Sequence, residues 1–387
     1  MKKGGWKKWC ALALCFSMLG ACAACGKGAE NSEESYGDLQ EYGFELLSNF
    51  DEPVYLLPDE VLRYLQSDGS ELVTDYLPMG SHRCDQGKPV SFAYSVQDMR
   101  SVESSQVEVS PDADFATIVG KANFQRRDAT ANVYNLLPNT SYHFRITVVR
   151  EDGVKLRYTG EFQTAQSLRF MSLDGASNVR DIGGWATGSG KIIQYGLLYR
   201  GGEIDGGKNT GHPDFCLTEK GIEQLRGLGI KTDLDLRSES VKVGEYSILG
   251  SDVSRSFYDA AQYESIMNPS NAERTRRIFS DLAKPDAYPI YLHCTHGVDR
   301  AGSTTLILEA LLGVAEVDLV RDYELSAFFH NYAHVNRNTE NGGNILKLIE
   351  KLKEYEGETL ADKTAAFLLS IGVTQTEIDS IRNILLR

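Results

Sequence analysis

Between Tyr288 and Gly313 the chain reads YPIYLHC, then THGVDR, then AGSTTLILEALLG. The first run is short and apolar, which predicts a strand buried on both faces; the last is apolar almost all round, which predicts a helix buried on every side. Neither can face water. Both therefore need covering layers, and the arrangement that supplies them is a parallel sheet with helices on its faces. From about residue 168 onward the chain keeps that alternation. LTEKGIEQLRGL reads as a helix and GIKTDLDLRS as the strand after it, while SNAERTRRIFSDLAK reads as a helix opened by a Ser270–Glu273 capping box and stopped by Pro285. Three more helical patterns follow, the last opened by a second box at Thr374 and Glu377.

Upstream, over residues 46–166, the period changes to two. Val90, Phe92, Tyr94 and Val96 share one face, and Tyr142, Phe144, Ile146 and Val148 share another, with His143, Arg145 and Thr147 opposite. This predicts a half-buried antiparallel sheet. LLPNTSYHFR, followed by GEFQTA, resembles the last strands of a fibronectin type III-like sandwich, with Leu136, Pro138, Thr140 and Tyr142 on its L-x-P-x-T-x-Y pattern. The resemblance makes Tyr142 a corner tyrosine, its ring in the core and its hydroxyl on nearby backbone. A chain of 387 residues has room for both, an all-β domain at 46–166 and an α/β domain at 168–387.

The first residues read as an address. MKKGGWKKW is basic, CALALCFSMLGA is too short an apolar run to span a bilayer, and LGAC resembles the end of a bacterial lipoprotein signal, which implies cleavage after residue 21 and lipidation of Cys22. An uncleaved anchor is the other reading. Either places the protein on the extracytoplasmic face of the cell membrane, with residues 22–45 as an acidic spacer. Cys10 and Cys15 leave with the signal; Cys25, Cys84, Cys216 and Cys294 are too dispersed for a disulfide framework, and Cys84 and Cys216 read as small core residues. The net charge of −14 excludes nucleic acid as a partner and requires any phosphate to be met by a local positive pocket.

Cys294-x5-Arg300, preceded by His293, occupies the connection between the buried strand and the buried helix. That is the sheet edge where ligands bind, and a helix N-terminus there favours an anion. HCTH could also be read as metal ligands, but no second His/Cys cluster supports a metal, and no cofactor is implied. NVRDIGG at 178–184, GLLYRGGEI at 196–204, the stretch 217–239, HCTHGVDRAG and DYELS at 322–326 together resemble the bacterial tyrosine phosphatase family marked by NFRDLGG and HCxxGKDRTG motifs. Members of that family hydrolyse phosphotyrosine, and some phosphoserine/threonine or phosphoinositides.

The resemblance implies a role for each residue. Cys294 is the nucleophile that forms a phosphocysteine intermediate, its thiol expected to be lowered from about 8.5 by the helix terminus. Thr295, His296, Gly297, Val298 and Ala301 line the phosphate, Gly297 by allowing a backbone that side chains resist, and Arg300 closes over two oxygens as lysine could not. Asp299 is the general acid; Asp259, 35 residues before Cys294, is the alternative. His293 buttresses the loop through a backbone hydrogen bond. Val298 stands where relatives carry lysine, which weakens the case for phosphoinositides. Ala301 replaces a hydroxyl that would stabilise the departing thiolate; either Ser303 stands in for it or turnover is slow. The pairs Arg180–Asp181 and Asp235–Arg237 read as structural. The expected substrate is a phosphorylated protein, with inositol or lipid phosphates as the alternative and a silent phosphate-binding module as the rival from another class.

Overall fold

Val90, Phe92 and Tyr94 are buried and Ser91 is exposed, as a period of two demands. The computed structural model describes residues 35–78, 83–125, 129–205, 216–240, 244–329, 334–339 and 344–387; the expected signal at 1–21, Cys22 and Cys25 lie outside the described residues. In the first half these are β1 (Gly37–Asp38), β2 (Glu45–Leu46), α1 (Asp59–Leu65), β3 (Val90–Ser95), β4 (Val102–Ser110), β5 (Gly120–Asn123), β6 (Thr130–Val133), β7 (Ser141–Arg150) and β8 (Lys155–Gln163). They form a five-stranded sheet in the order β1-β8-β7-β4-β5 and a three-stranded sheet in the order β2-β3-β6. Side chains of both sheets share one core, in which the rings of Phe92, Phe144 and Phe162 surround Phe50. Tyr142 is buried there, and its hydroxyl accepts the Leu137 N–H at 3.0 Å.

Not all of residues 46–166 belong to that core. Leu57, Val61, Tyr64, Val73 and Cys84 pack instead into the core of the second half. Val61 and Tyr64 lie three apart on α1, a helical spacing too brief to stand out from a sequence dominated by alternation.

The second half comprises β9 (Arg169–Phe170), β10 (Arg180–Asp181), β11 (Leu198–Gly201), α2 (Glu219–Gly227), β12 (Thr232–Asp235), β13 (Ser254–Phe257), α3 (Ala272–Leu282), β14 (Ile290–His293), α4 (Asp299–Leu312), α5 (Glu316–Glu324), α6 (Ile345–Lys353), α7 (Leu360–Ser370) and α8 (Gln375–Leu385). Its six-stranded sheet runs β13-β12-β14-β11-β10-β9; the first four strands are parallel, and β10 and β9 complete one edge antiparallel. All four residues of β14 are buried, with Ile290 and Leu292 in one core and Tyr291 in another that includes Leu225 of α2. Successive side chains thus enter opposite layers, and a strand covered on both faces explains the uninterrupted apolar run. α4 is buried from Ala301 to Leu312. Its amino end therefore meets the carboxyl end of β14 inside the molecule.

Two local expectations change. The Ser270–Glu273 box does not form: α3 starts at Ala272 after an Asn271 cap that makes no side-chain bond, and Glu273 binds Arg276 at 2.8 and 2.9 Å. Cys216 is exposed rather than part of the core. The Thr374–Glu377 box closes α8 as the pattern requires.

Candidate active site

Five residues, Cys294 to Val298, connect β14 to α4, and three consecutive carbonyls of this loop are tied from outside. The N–H of Glu203 donates to Thr295 O at 3.0 Å, the Asn178 side-chain amide to His296 O at 3.1 Å, and the Arg200 guanidinium to Gly297 O at 2.9 Å. In a planar trans peptide the N–H points opposite to its C=O. The amides of His296, Gly297 and Val298 are thereby turned toward the loop's interior. The Gly297 and Ala301 amides hydrogen-bond toward the Cys294 sulfur, which places the sulfur on that inner side. Gly297 has φ +73, and a Cβ there would lie 2.4 Å from the Gly201 carbonyl carbon, so conformation and space both require glycine.

Cys294 is buried, and its thiol is pushed up, not down. Burial is the largest cause and the Asp299 carboxylate adds to it, while the amides of Ala301 and Gly297 and the Arg300 guanidinium pull the other way. The lowering expected from the helix terminus alone leaves out burial and Asp299. Removing the Asp299 charge takes away one of those upward pushes on Cys294. Asp299→Asn is accordingly expected to shift the pH profile of Cys294 alkylation by iodoacetamide toward lower pH. An unshifted or upward-shifted profile contradicts this coupling.

Around the loop, Arg300 donates from Nε to Ala260 O at 3.1 Å, and among the described residues no carboxylate pairs with its guanidinium. Asp299 accepts a hydrogen bond from the Tyr263 hydroxyl, which also meets the Tyr323 hydroxyl at 2.9 Å. Tyr263 holds φ +52, a strained value for an aromatic residue, and burial keeps its hydroxyl protonated and donating. Asp259 precedes Ala260, is about one-third exposed, and lies 4.0 Å from Arg274. A buried thiol, a set of inward amides and a guanidinium with no carboxylate partner among the described residues thus converge at one helix end.

A family model described as "tyrosine phosphatase family" matches residues 171–387, more than half of the chain. The chain belongs to that family. A Cupriavidus necator protein named "Putative tyrosine-protein phosphatase" is 26% identical over 184 residues, 41% of this chain and 64% of its own length, so the match spans just under two thirds of that relative. An engineered protein of known structure aligns with 22% identity over 20% of this chain and 16% of its own, at a TM-score of 0.17, which carries no structural likeness.

The family's motif blocks meet beneath the loop. Asp322 receives Arg180 through Nε at 3.0 Å and Nη2 at 3.2 Å, and also Arg200, the residue that holds Gly297 O. Ser326 Oγ receives Asn178 at 3.2 Å. Asn178, Arg200, Glu203 and Asp322 lie in the motif blocks, but their roles, like that of Tyr263, escape a reading from sequence, because what they hold is backbone or a side chain far along the chain.

Other expectations are corrected in place. Arg180 does not pair with Asp181, which binds Arg169 at 3.2 Å; adjacent strand residues face opposite sides of a sheet and cannot meet. Asp235 and Arg237, two apart, do pair, at 2.7 and 2.9 Å. His293 binds the Asp233 carboxylate through Nε2 at 2.9 Å rather than backbone; burial opposes its charge, but the field of Asp235 and the Asp233 bond outweigh that and raise it. The Val298 side chain enters the apolar core, which leaves only its amide for the loop interior. Ser303 does not stand in for the missing hydroxyl, since its Oγ accepts the Tyr263 N–H at 2.6 Å and donates to Asp299 O at 2.7 Å.

Proposed function

We propose that this chain is a cysteine-dependent phosphomonoesterase acting on phosphorylated protein. Cys294 attacks phosphorus in line, the Cys294 S–P bond forms as the ester P–O bond breaks, and the leaving oxygen takes a proton from Asp299. Water then cleaves the S–P bond, releasing phosphate and returning the thiolate, with Asp299 now accepting the water's proton. The inward amides and Arg300 hold charge on the three equatorial oxygens, where most of the acceleration in phosphoryl transfer arises. The observation that carries this reading is the loop whose three carbonyls are bound from outside.

Asp299 is preferred over Asp259 because it sits at the first position of α4, beside Arg300, and a tyrosine fixes its orientation. Asp299→Asn is expected to lower kcat by roughly 10²–10⁴-fold on a phosphotyrosine peptide and far less on an aryl phosphate with a good leaving group. Asp259→Asn is expected to leave both nearly unchanged. The opposite pattern transfers the role to Asp259.

A second reading has one supporting observation: Ala301 lacks a hydroxyl and Ser303 is already engaged, so no side-chain hydroxyl aids departure of the thiolate and the second step is slow. In the limit the protein is a phosphate-binding module. Burst kinetics separate the two, since a first-turnover burst followed by slow release keeps the enzyme. A panel of phosphotyrosine peptide, phosphoinositide and inositol polyphosphate assigns the substrate class.

The β region upstream is proposed to be fibronectin type III-like, supported by the Tyr142 hydroxyl on the Leu137 amide, and to act as a spacer. Residues 1–22 support export and attachment to the extracytoplasmic membrane face through Cys22. Among the described residues, no helix is long and apolar enough to cross a membrane.

A further inference from the structure

Residues 83–88 lie outside the part of the chain that matches the family, yet they touch the machinery of the loop. Asn178, whose side chain holds His296 O, has φ +55 and is buried. Its side chain is fully used: the amide donates to His296 O and Ser326 Oγ, and Oδ1 accepts from Arg180 at 2.8 Å. Its backbone N–H is the remaining donor. It is taken by Asp85, also buried, whose Oδ2 accepts it at 2.8 Å.

Asp85 is in turn held on both oxygens by Arg83, at 2.9 and 2.8 Å, and the same guanidinium reaches Ala176 O and Ser177 Oγ, both at 3.2 Å. The Cys84 N–H donates to Phe328 O at 3.2 Å, in the short turn that also carries Ser326. Beyond it, Gly87 passes so close to β9 that a Cβ would lie 2.3 Å from Phe170 O. The segment is therefore laid against the chain that leads into Asn178 and against Phe328, by backbone as well as by side chains.

We propose that residues 83–87 form an intramolecular clasp in which Asp85 is a positioning residue for the phosphate loop, acting through Asn178 on the His296 carbonyl. Asparagine tolerates left-handed backbone better than other side chains but is not confined to it, and Asp85 supplies the hold on the amide side. Without it Asn178 is free to leave that conformation, His296 O loses its donor, and the peptide whose N–H faces the loop interior can rotate. The consequence for catalysis rests on the proposed function; the coupling between Asp85 and the loop does not.

The test compares full-length wild type with Asp85→Ala and Asp85→Asn, with the exposed Lys88→Ala as control, well below each unfolding midpoint. Hydrogen exchange of the amides at 295–298, vanadate affinity and kcat on an aryl phosphate are read together. In Asp85→Ala, exchange at these amides is expected to rise roughly tenfold to a hundredfold. Vanadate affinity and kcat are expected to fall by about tenfold or more, as small misplacements of binding groups do. Asn keeps an acceptor for the Asn178 amide but weakens the hold of Arg83, so Asp85→Asn should change each quantity severalfold. Unchanged loop exchange and vanadate affinity in Asp85→Ala overturn the clasp, and if that variant does not fold, wild-type values in Asp85→Asn overturn it equally. A wild type that never turns over overturns the proposed function instead, while the exchange measurement still decides the clasp.

Discussion

Cys294→Ser is expected to abolish turnover while inorganic phosphate still binds. Apart from the Gly297 and Ala301 amides that face the sulfur, what shapes the loop comes from outside it: the three carbonyls are tied by Glu203, Asn178 and Arg200, and Arg300 is tied to Ala260 O. Serine therefore keeps the amides and the guanidinium in place. What it loses is the nucleophile, because a thiol, even with its ionisation pushed up by burial, gives up its proton far more readily than a hydroxyl in the same place. Loss of the covalent step should lower kcat on the order of 10⁴–10⁶-fold. Phosphate affinity by calorimetry should change by less than about tenfold, under about 1.4 kcal/mol. Residual activity above about one hundredth of wild type would falsify the covalent route, and loss of phosphate binding would show that the sulfur, not the backbone, builds the site.

The strand, loop and helix that carry this chemistry were legible in the sequence because burial leaves a pattern. Ile290 to Leu292 is unbroken by charge and Leu306 to Leu312 is apolar but for Glu309, and only a doubly covered strand and an enclosed helix require that. Cys294 and Arg300 stood out by spacing. The scaffold that turns the loop inward left no such trace. Asn178 and His296, or Arg200 and Gly297, are about a hundred positions apart, and a side chain that binds a carbonyl selects no partner type, so no complementary residue marks the pair. Leu57, Val61, Tyr64, Val73 and Cys84 were hidden for a related reason: they join the second core as single side chains rather than through a repeating face. Ser303 did carry a readable signal. A serine four residues after Asp299 in a helix can bond back to that carbonyl, and it does.

The second large effect concerns Asp322, where the motif blocks converge. This carboxylate is buried between Arg180 and Arg200; burial works against its charge, but the two guanidiniums more than offset that and hold it below the usual carboxylate range. Removing one partner from a buried ion pair leaves charge without compensation, so Asp322→Asn is expected to cost about 3–5 kcal/mol of folding free energy. A group whose folded pKa is depressed contributes stability above its unfolded value of about 3.9 and loses it as pH falls through the folded one, so the difference between wild type and variant should close in acid. Glu309 on α4 sets a limit to the loss. Both its carboxylate oxygens are buried with no hydrogen-bond partner among the described residues; burial first and Asp322 second raise it well above its ordinary value, so it stays neutral in the wild type. Once Asp322 is neutralised that second push disappears, and Glu309 becomes the nearest candidate to ionise against Arg200. Asp322→Asn combined with Glu309→Gln should therefore be less stable in urea unfolding at neutral pH than the sum of the single variants predicts. Strict additivity would mean that the two carboxyl groups do not share Arg200, and that the loop carbonyl it holds depends on Asp322 alone.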